Sequence, residues 1–555
     1  SIQTTYSPRF EWTNYLFHKA AASPDSGSQN GRVERTHTKD FYWQWDNMLK
    51  WNKTFGKHAF DFTFLANWEK FQRWHDEMTN ENFLPTDELG YGGIGFGTSP
   101  NVSSDDVYRT GDAFMGRLHY VYDQRYLITA TVRRDGYSAF GLANPRATFP
   151  AIALGWVFSE EKFLHRPDWF EYGKLRLSWG KNGNRAVGTY AAFMQLAPRK
   201  YIYVDPATGS LVTANTFYAS TMANPNLKWE STTSWNIGTD LTFLKGRLSA
   251  NLDVYKKITT DLLVSRELPS LIGYSSVMSN IGEVQNTGVE LSLNSTNIRM
   301  DKLTWRTSFS LAYNKNKITH LYGIMEDVKD ADGNVIGQRE ADDIKNKRFI
   351  GHDIDEIWDY KVVGIWQEEE REEAAKYGQQ PGDVHLLDKD MNYKYDNTDK
   401  EFQGTTMPRL RWSMRNDFTL FKNFNISFNM YSYIGHKKTL GRFTNDNALL
   451  NVTNQIKRDY WTPENRNNEY PRLANKKPAG VSYAIYKNAS FLRFDNISIG
   501  YTFPKKLIEP LRIQNLNVNA TMKNAGYISG WPGYDPENSD ANTPRVIYFG
   551  INLTL

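Results

Sequence analysis

Apolar and polar residues alternate along this chain in runs that suit extended backbone. From Phe60 onward, Phe60, Phe62, Phe64, Ala66 and Trp68 fall on one face and Asp61, Thr63 and Asn67 on the other, with Leu65 the exception. Trp235, Ile237, Thr239, Leu241 and Phe243 alternate with Ser234, Asn236, Gly238, Asp240 and Thr242. After Lys245-Gly246 the pattern resumes as Leu248, Ala250, Leu252 and Val254 against Ser249, Asn251 and Asp253. It returns at Phe424, Ile426, Phe428 and Met430, and again at Leu516, Val518, Ala520 and Met522. Residues i and i+2 fall on different faces of a helix, so these runs predict strands. The pattern places about sixteen of them, among them 3–19, 34–55 and 58–78.

The connections alternate in length. Tight turns are expected at Gly56-Lys57, at Asp123-Gln124-Arg125, and near 245, 297–301, 422 and 504–512, with a somewhat longer one at 159–173. Long connections are expected at 79–107, 184–228, 265–280, 317–408, 437–489 and 526–543. Short turns at one end of a strand stack and long loops at the other describe an outer-membrane barrel. The fold class expected is therefore all-β, a transmembrane antiparallel β-barrel.

Composition fits that architecture. Of 555 residues, 40% are hydrophobic and 23% charged, which alone would indicate a water-soluble protein, yet 14% are aromatic. A barrel reconciles these figures, because each strand turns one face to lipid and the other to a wet lumen, with aromatic girdles at both interfaces. The longest apolar stretch, Phe149 to Phe158, is too short for a spanning helix and contains Pro150. A soluble sandwich or propeller also alternates. However, its strands rarely exceed about ten residues, and the stripe Ile547, Phe549, Ile551, Leu553 and Leu555 runs to the carboxyl end. Cysteine is absent, which excludes disulfides and Cys-based zinc sites. A net charge of +4 over this length gives no case for a nucleic-acid surface. Ser1 to Thr5 show no signal peptide.

The run Arg133-Arg134-Asp135-Gly136-Tyr137-Ser138-Ala139-Phe140-Gly141 is similar to a motif of the SusC/RagA family of TonB-dependent outer-membrane transporters. In the family's order there follow Arg146, Phe149-Pro150, Leu154-Gly155-Trp156, Ser159-Glu160-Glu161 and Phe163, then Asn224-Pro225-Asn226-Leu227-Lys228-Trp229-Glu230. Next come Asn286 with Gly288 and Glu290, and Asn314 with Asn316 and Ile318. Pro381-Gly382-Asp383, Leu492-Arg493, Gly500-Tyr501 with Phe503-Pro504, and Asp535-Pro536-Glu537 complete the series. Tyr137 and Ala139 stand where the family usually carries Ser and Arg, and the terminal Leu555 replaces a typical aromatic. The resemblance implies a barrel of about 22 strands, of which this chain would supply the C-terminal sixteen or so. The plug domain and the first strands would lie outside it. It implies import of nutrient oligosaccharides, with oligopeptides the runner-up, beneath a SusD-like surface lipoprotein acting as a lid. Energy would come from the TonB complex acting through the plug, in the outer membrane of a Gram-negative, Bacteroidetes-like bacterium.

Candidate chemistry is sparse. Gly90-Tyr91-Gly92-Gly93-Ile94-Gly95 matches a dinucleotide fingerprint in letters only, since no strand precedes it and no helix follows. No G-x-S-x-G, H-E-x-x-H or Walker sequence is present, so no enzymatic activity is expected. Asp388, Asp390, Asn392 and Asp396, with Asp399 beyond, space oxygen atoms as a calcium or magnesium loop would, although Tyr393 replaces the glycine such a loop needs. The plain alternative is a solvated acidic turn, and apart from such an ion no cofactor is expected. Glu368 to Lys376 reads as a short exposed helix. Tyr91, Phe96, Trp358, Trp366, Trp531 and Tyr534 lie in or beside the long connections. Their flat faces suit sugar rings or peptide side chains, and the competing reading is that they pack the loops together. A reading of another class, a soluble or surface-anchored β-rich glycan-binding module, predicts polar residues on both exposed sheet faces and a self-sufficient core.

Overall fold

The computed structural model of the chain describes residues 1–23, 30–83, 88–268, 270–274, 276–330, 332–440, 459–473, 475–538 and 541–555. Parts of the expected loops, 84–87, 441–458 and 539–540 among them, lie outside the described residues. Sixteen strands follow one another in a single sheet order. Contacts divide the chain into two units, the first being Ser1–Trp156, Leu177–Trp235 and Lys257–Glu283. The second is Val157–Arg176, Asn236–Lys256 and Val284–Leu555.

In the first unit the strands Ile2–Lys19, Arg32–Phe55, His58–Glu81, Asn101–Tyr122, Tyr126–Tyr137 and Arg146–Trp156 pair antiparallel, each with the next. Gly56, at φ +57°, opens the two-residue turn that brings Phe55 opposite His58. A positive first φ is what so short a hairpin favours and what glycine adopts freely. At the next tight turn Asp123 and Gln124 both take positive φ, and the Asp123 carboxylate accepts a hydrogen bond from Lys57 Nζ at 3.0 Å. Strands Leu303–His320, Leu410–Leu420, Phe424–Ile434, Phe491–Thr502, Asn515–Ser529 and Val546–Thr554 pair the same way in the second unit. Phe170–Asn184, Glu230–Phe243, Leu248–Thr260 and Glu283–Met300 complete the sixteen.

Several boundaries differ from the alternation pattern. The 79–107 connection spans 82–100, because Thr79 and Met78 still pair with Asn101 and Val102. The turn placed at 297–301 is Asp301-Lys302, and the connection at 526–543 occupies 530–545. At 79–81 and 101–107 mostly polar residues continue a ladder whose hydrogen bonds are backbone bonds, so apolar alternation stops before the strand does. The turn at 504–512 holds a one-turn helix, Lys505–Ile508. The long connections carry structure of their own. In the first unit Gln195–Val204 pairs with Leu211–Thr221, and Leu263–Glu267 with Ser276–Asn280. In the second, Met325–Lys329 pairs with Val335–Glu340, and Glu356–Tyr360 with Lys400–Thr405. Val362–Ile365 likewise pairs with Val384–Leu386, and Lys437–Thr439 with Tyr486–Asn488. The helix expected at 368–376 begins with a tight turn at Glu368–Glu370 and runs as α-helix over Arg371–Lys376.

Burial is inverted relative to a water-soluble sheet. Trp235, Ile237, Val132, Ile152, Leu154 and Ile547 are exposed, and Phe549 and Ile551 are 82% and 73% exposed. Thr63, Asn67, Asn416 and Thr521, on the opposite faces of their strands, are buried. The apolar cores sit instead in the connections. One comprises Tyr137, Ala139, Phe140, Ala192, Leu227 and Trp229 in the first unit. The other is built around Tyr360, Val384, Leu386, Tyr483, Ile485 and Trp531 in the second. A strand whose greasy side meets lipid needs no protein partner there, whereas loops standing in water must bury their own apolar residues. No helix among the described residues is long and apolar enough to cross a membrane, a statement that concerns helices alone.

Candidate functional site

Five of the residue groups singled out by motif turn out to form joints that fasten the connections. Phe140 stacks on Trp229 with ring centroids 4.8 Å apart, and the Gly141 N–H donates to the Leu227 carbonyl. A Cβ on Gly141 would lie 2.0 Å from the Pro225 carbonyl oxygen, so only glycine lets the two segments approach. In the second unit Asp383, fully buried, receives Arg472 Nε at 2.7 Å and the Lys476 N–H at 2.8 Å. Gly382 beside it holds φ +87° with Trp461 packed where a side chain would go.

Arg493 and Asp535 form a further joint. Burial alone would raise the Asp535 carboxyl. Hydrogen bonds from Thr543, from the Glu537 N–H and from Arg493 outweigh burial and hold it below the usual carboxylate range. Arg493 also reaches Glu537 at 2.7 Å and lies over the Phe491 and Tyr527 rings.

The six aromatic candidates divide by burial. Tyr91 and Phe96 are exposed on the 3₁₀ segment Gly90–Phe96, which Asn80 Nδ2 ties down through the Ile94 and Gly97 carbonyls at 2.9 and 3.1 Å. That segment has neither the strand nor the helix of a nucleotide fingerprint. Trp358, Trp366 and Trp531 are buried. Trp366 stacks on His385 at 3.5 Å and donates its indole N–H to Gln379 Oε1, and Trp358 packs on Phe349 with Lys400 above it. Trp531 belongs to the loop core. Tyr534 is half-buried, and its carbonyl accepts the Tyr527 hydroxyl. Burying such large rings gives more stability to a water-exposed loop than displaying them would.

The acidic turn gathers Asp388, Asp390 and Asp399, whose carboxylate oxygens lie within 4.8 Å of one another. Asp396 does not join them, and Asn392 adjoins them through Asp390. The Asn392 amide donates to Asp390 at 2.8 Å, and Asp396 caps Thr398. Asp388 accepts from the Met391 and Tyr393 N–H groups and the Tyr377 hydroxyl, and Asp399 from the Lys389 and Asp396 N–H groups. Burial and then Asp388 raise Asp390, whereas at Asp388 the effect of burial is outweighed by these donors, which lower it. Calcium requires six to eight oxygens, and the oxygens here are largely engaged by donors. The residues make a hydrogen-bonded acidic turn in which three carboxylates stand within reach of one another.

Sequence reading identified the polar faces of the strands but named no site on them. In the first unit a cavity of about 550 Å³ is lined by Asp46, Asn67, Asp135, Lys181 and Arg185, and one of about 300 Å³ by Tyr42, Phe71, Arg109 and Tyr137. In the second, a cavity of about 440 Å³ has a floor of Ser292, Ser310 and Ser413, beside which Arg411 lies on the Tyr433 ring at 5.2 Å. Each set is assembled from several strands by register, which alternation within one strand does not reveal.

Residues 1–525 match the family model described as TonB dependent receptor-like, beta-barrel. The chain is 32% identical over 467 residues to TonB-dependent receptor SusC of Bacteroides thetaiotaomicron, covering 80% of this chain and 43% of that protein. It is 28% identical over 508 residues to TonB-dependent receptor P3 of Formosa agariphila, covering 90% of this chain and 49% of that one. It thus spans about half the length of the curated relatives it matches. A solved structure of the RagAB peptide transporter superposes with a TM-score of 0.77 at 19% identity, over 100% of this chain and 59% of that one, and so shares the fold. The exposed apolar stripe, the ordered motifs and the family match agree: this chain belongs to the TonB-dependent receptor β-barrel family, in its SusC/RagA-like branch.

Proposed function

We propose that the protein carrying this chain imports nutrient oligosaccharides across the outer membrane of a Gram-negative, Bacteroidetes-like bacterium. A SusD-like lipoprotein would close over the substrate, and TonB would supply energy through a plug. In this reading the chain supplies wall, loops and docking surface, and performs no chemical step and needs no cofactor. The observation that carries it is the sheet whose apolar face is exposed while its polar face is sheltered, because such a face is stable only against lipid. Relatives in Bacteroides and Formosa support the type of host. Among the aromatic candidates, Tyr91, Phe96 and Tyr534 are those left to meet substrate.

Deleting the gene in its native host and measuring growth on defined oligosaccharides and on oligopeptides tests the reading. Growth lost on one glycan and kept on monosaccharide supports it. Growth lost on peptides alone supports the second reading, an oligopeptide importer, which the fold shared with the RagAB peptide transporter favours. A soluble glycan-binding module is a poorer account, since it would leave the stripe through Phe549 and Ile551 in water.

A further inference from the structure

We infer that Arg109, with Arg185, forms a subsite for an oxyanion, a carboxylate or sulfate, carried by the imported oligosaccharide. This rests on the import reading above. Strand register assembles the site: Tyr42 pairs with Phe71 and Phe71 with Arg109, so the three share one row of one face. The adjacent row runs Gln44, Glu69, Gly111 and Tyr137. Gly111 contributes no side chain, and a Cβ there would meet the Glu69 carboxylate at 2.7 Å. The two rows border the cavity of about 300 Å³, the lower end of the range for ligand pockets.

Charge in this pocket does not balance. Asp40 is taken by Arg73 through two bonds of 2.7 and 2.6 Å, and Glu69 by Arg185, whose guanidinium also lies 5.0 Å from the Tyr137 ring centroid. Arg109 has no hydrogen bond or ion pair among the described residues, and feels only at a distance the charge of Asp40, whose two oxygens Arg73 holds. Its guanidinium sits 4.2 Å from the Phe71 ring centroid. A guanidinium laid on a ring keeps its edge N–H groups available, in a fork that matches the two oxygens of a carboxylate or sulfate. Arg185, held by Glu69 through both terminal nitrogens, lines the same cavity. An uncharged sugar offers that fork only hydroxyl acceptors, without the charge assistance and paired oxygens of an oxyanion, so the pocket favours the anion.

The test uses the full-length transporter with its lid lipoprotein, purified in detergent, and titrations with trigalacturonate, a sulfated galactotriose, neutral maltotriose and an acidic tripeptide. Binding of a charged sugar that weakens about tenfold or more in Arg109→Gln, is partly restored in Arg109→Lys, and falls with added salt supports the subsite. Whether the carboxylated or the sulfated probe binds tells which anion it takes. Equal binding of the neutral sugar, unchanged in Arg109→Gln, overturns the subsite and leaves sugar import standing. Binding of the tripeptide alone overturns the sugar assignment. A fall in melting temperature with all probes weakened alike shows that Arg109 braces the protein instead, and also overturns it. Absence of binding by any probe, together with normal growth of the gene deletion on every glycan, removes the import reading beneath it.

Discussion

Arg493 and Asp535, 42 positions apart, meet at 2.6 Å with their side chains only 3% and 2% exposed. Each belongs to a motif whose role was not evident from sequence, and together they tie the strand Phe491–Thr502 to the connection 530–545. A buried pair of this kind is costly to break from one side, because the survivor is left charged and unsolvated.

Asp535→Ala is therefore expected to destabilise the folded barrel by about 3–5 kcal/mol and to expose 530–545 to protease. Replacing both partners, as Arg493→Met with Asp535→Leu, should recover most of that loss. Thermal melting in detergent and limited proteolysis are the readouts, and a single variant that melts like the parent would refute the joint.

Gly382→Ala tests the second joint. Its φ of +87° strains any L side chain, and the new Cβ would lie 2.5 Å from Trp461 and 2.8 Å from Arg472. A loss of about 2 kcal/mol or more is expected. It should appear as faster trypsin cleavage in 459–488 while the sheet stays intact by circular dichroism.

Acid should loosen the loops through His436. Burial first, then the charges of Lys438 and Arg411, push this imidazole down to about 4 from its usual value near 6.5. The unfolded chain then binds a proton that the folded chain refuses between those two values. Stability contributed by neutral His436 is complete above about pH 6.5 and is lost as pH falls towards about 4, by roughly 2–3 kcal/mol in all. Melting temperature across pH 4–7 checks this, and His436→Gln should flatten that part of the curve.

The lipid-facing stripe makes an asymmetric prediction. Val132 is exposed on the apolar face, and Thr131 lies on the other. Val132→Arg should cost about 2–4 kcal/mol near the bilayer midplane, and Thr131→Arg much less. Folding into liposomes from urea measures both. Equal costs would argue that the stripe meets protein rather than lipid.

The hairpin rhythm was legible because a two-faced wall imposes period-2 alternation, and Phe55-Gly56-Lys57-His58 marks its own turn. The strand ends at 79–81 and 101–102 were not, since polar ladders carry no such signal. For Trp358, Trp366 and Trp531 the sequence left ligand contact and loop packing both open, because an aromatic in a loop looks the same whether displayed or buried. Burial depends on distant segments, 384–386 and 483–489 in the case of Trp531.

Alternation and composition by themselves determined the strands, their parity and the face that meets lipid, because those are properties of neighbouring residues in one extended segment. Only the tertiary structure decided which loops fasten to which, that Asp399 comes up to Asp388 and Asp390 while Asp396 caps Thr398, and that Arg109 lies on the Phe71 ring with no hydrogen bond or ion pair among the described residues. Those outcomes depend on register and on contacts between residues far apart in the chain, where a shift of one residue would change every partner.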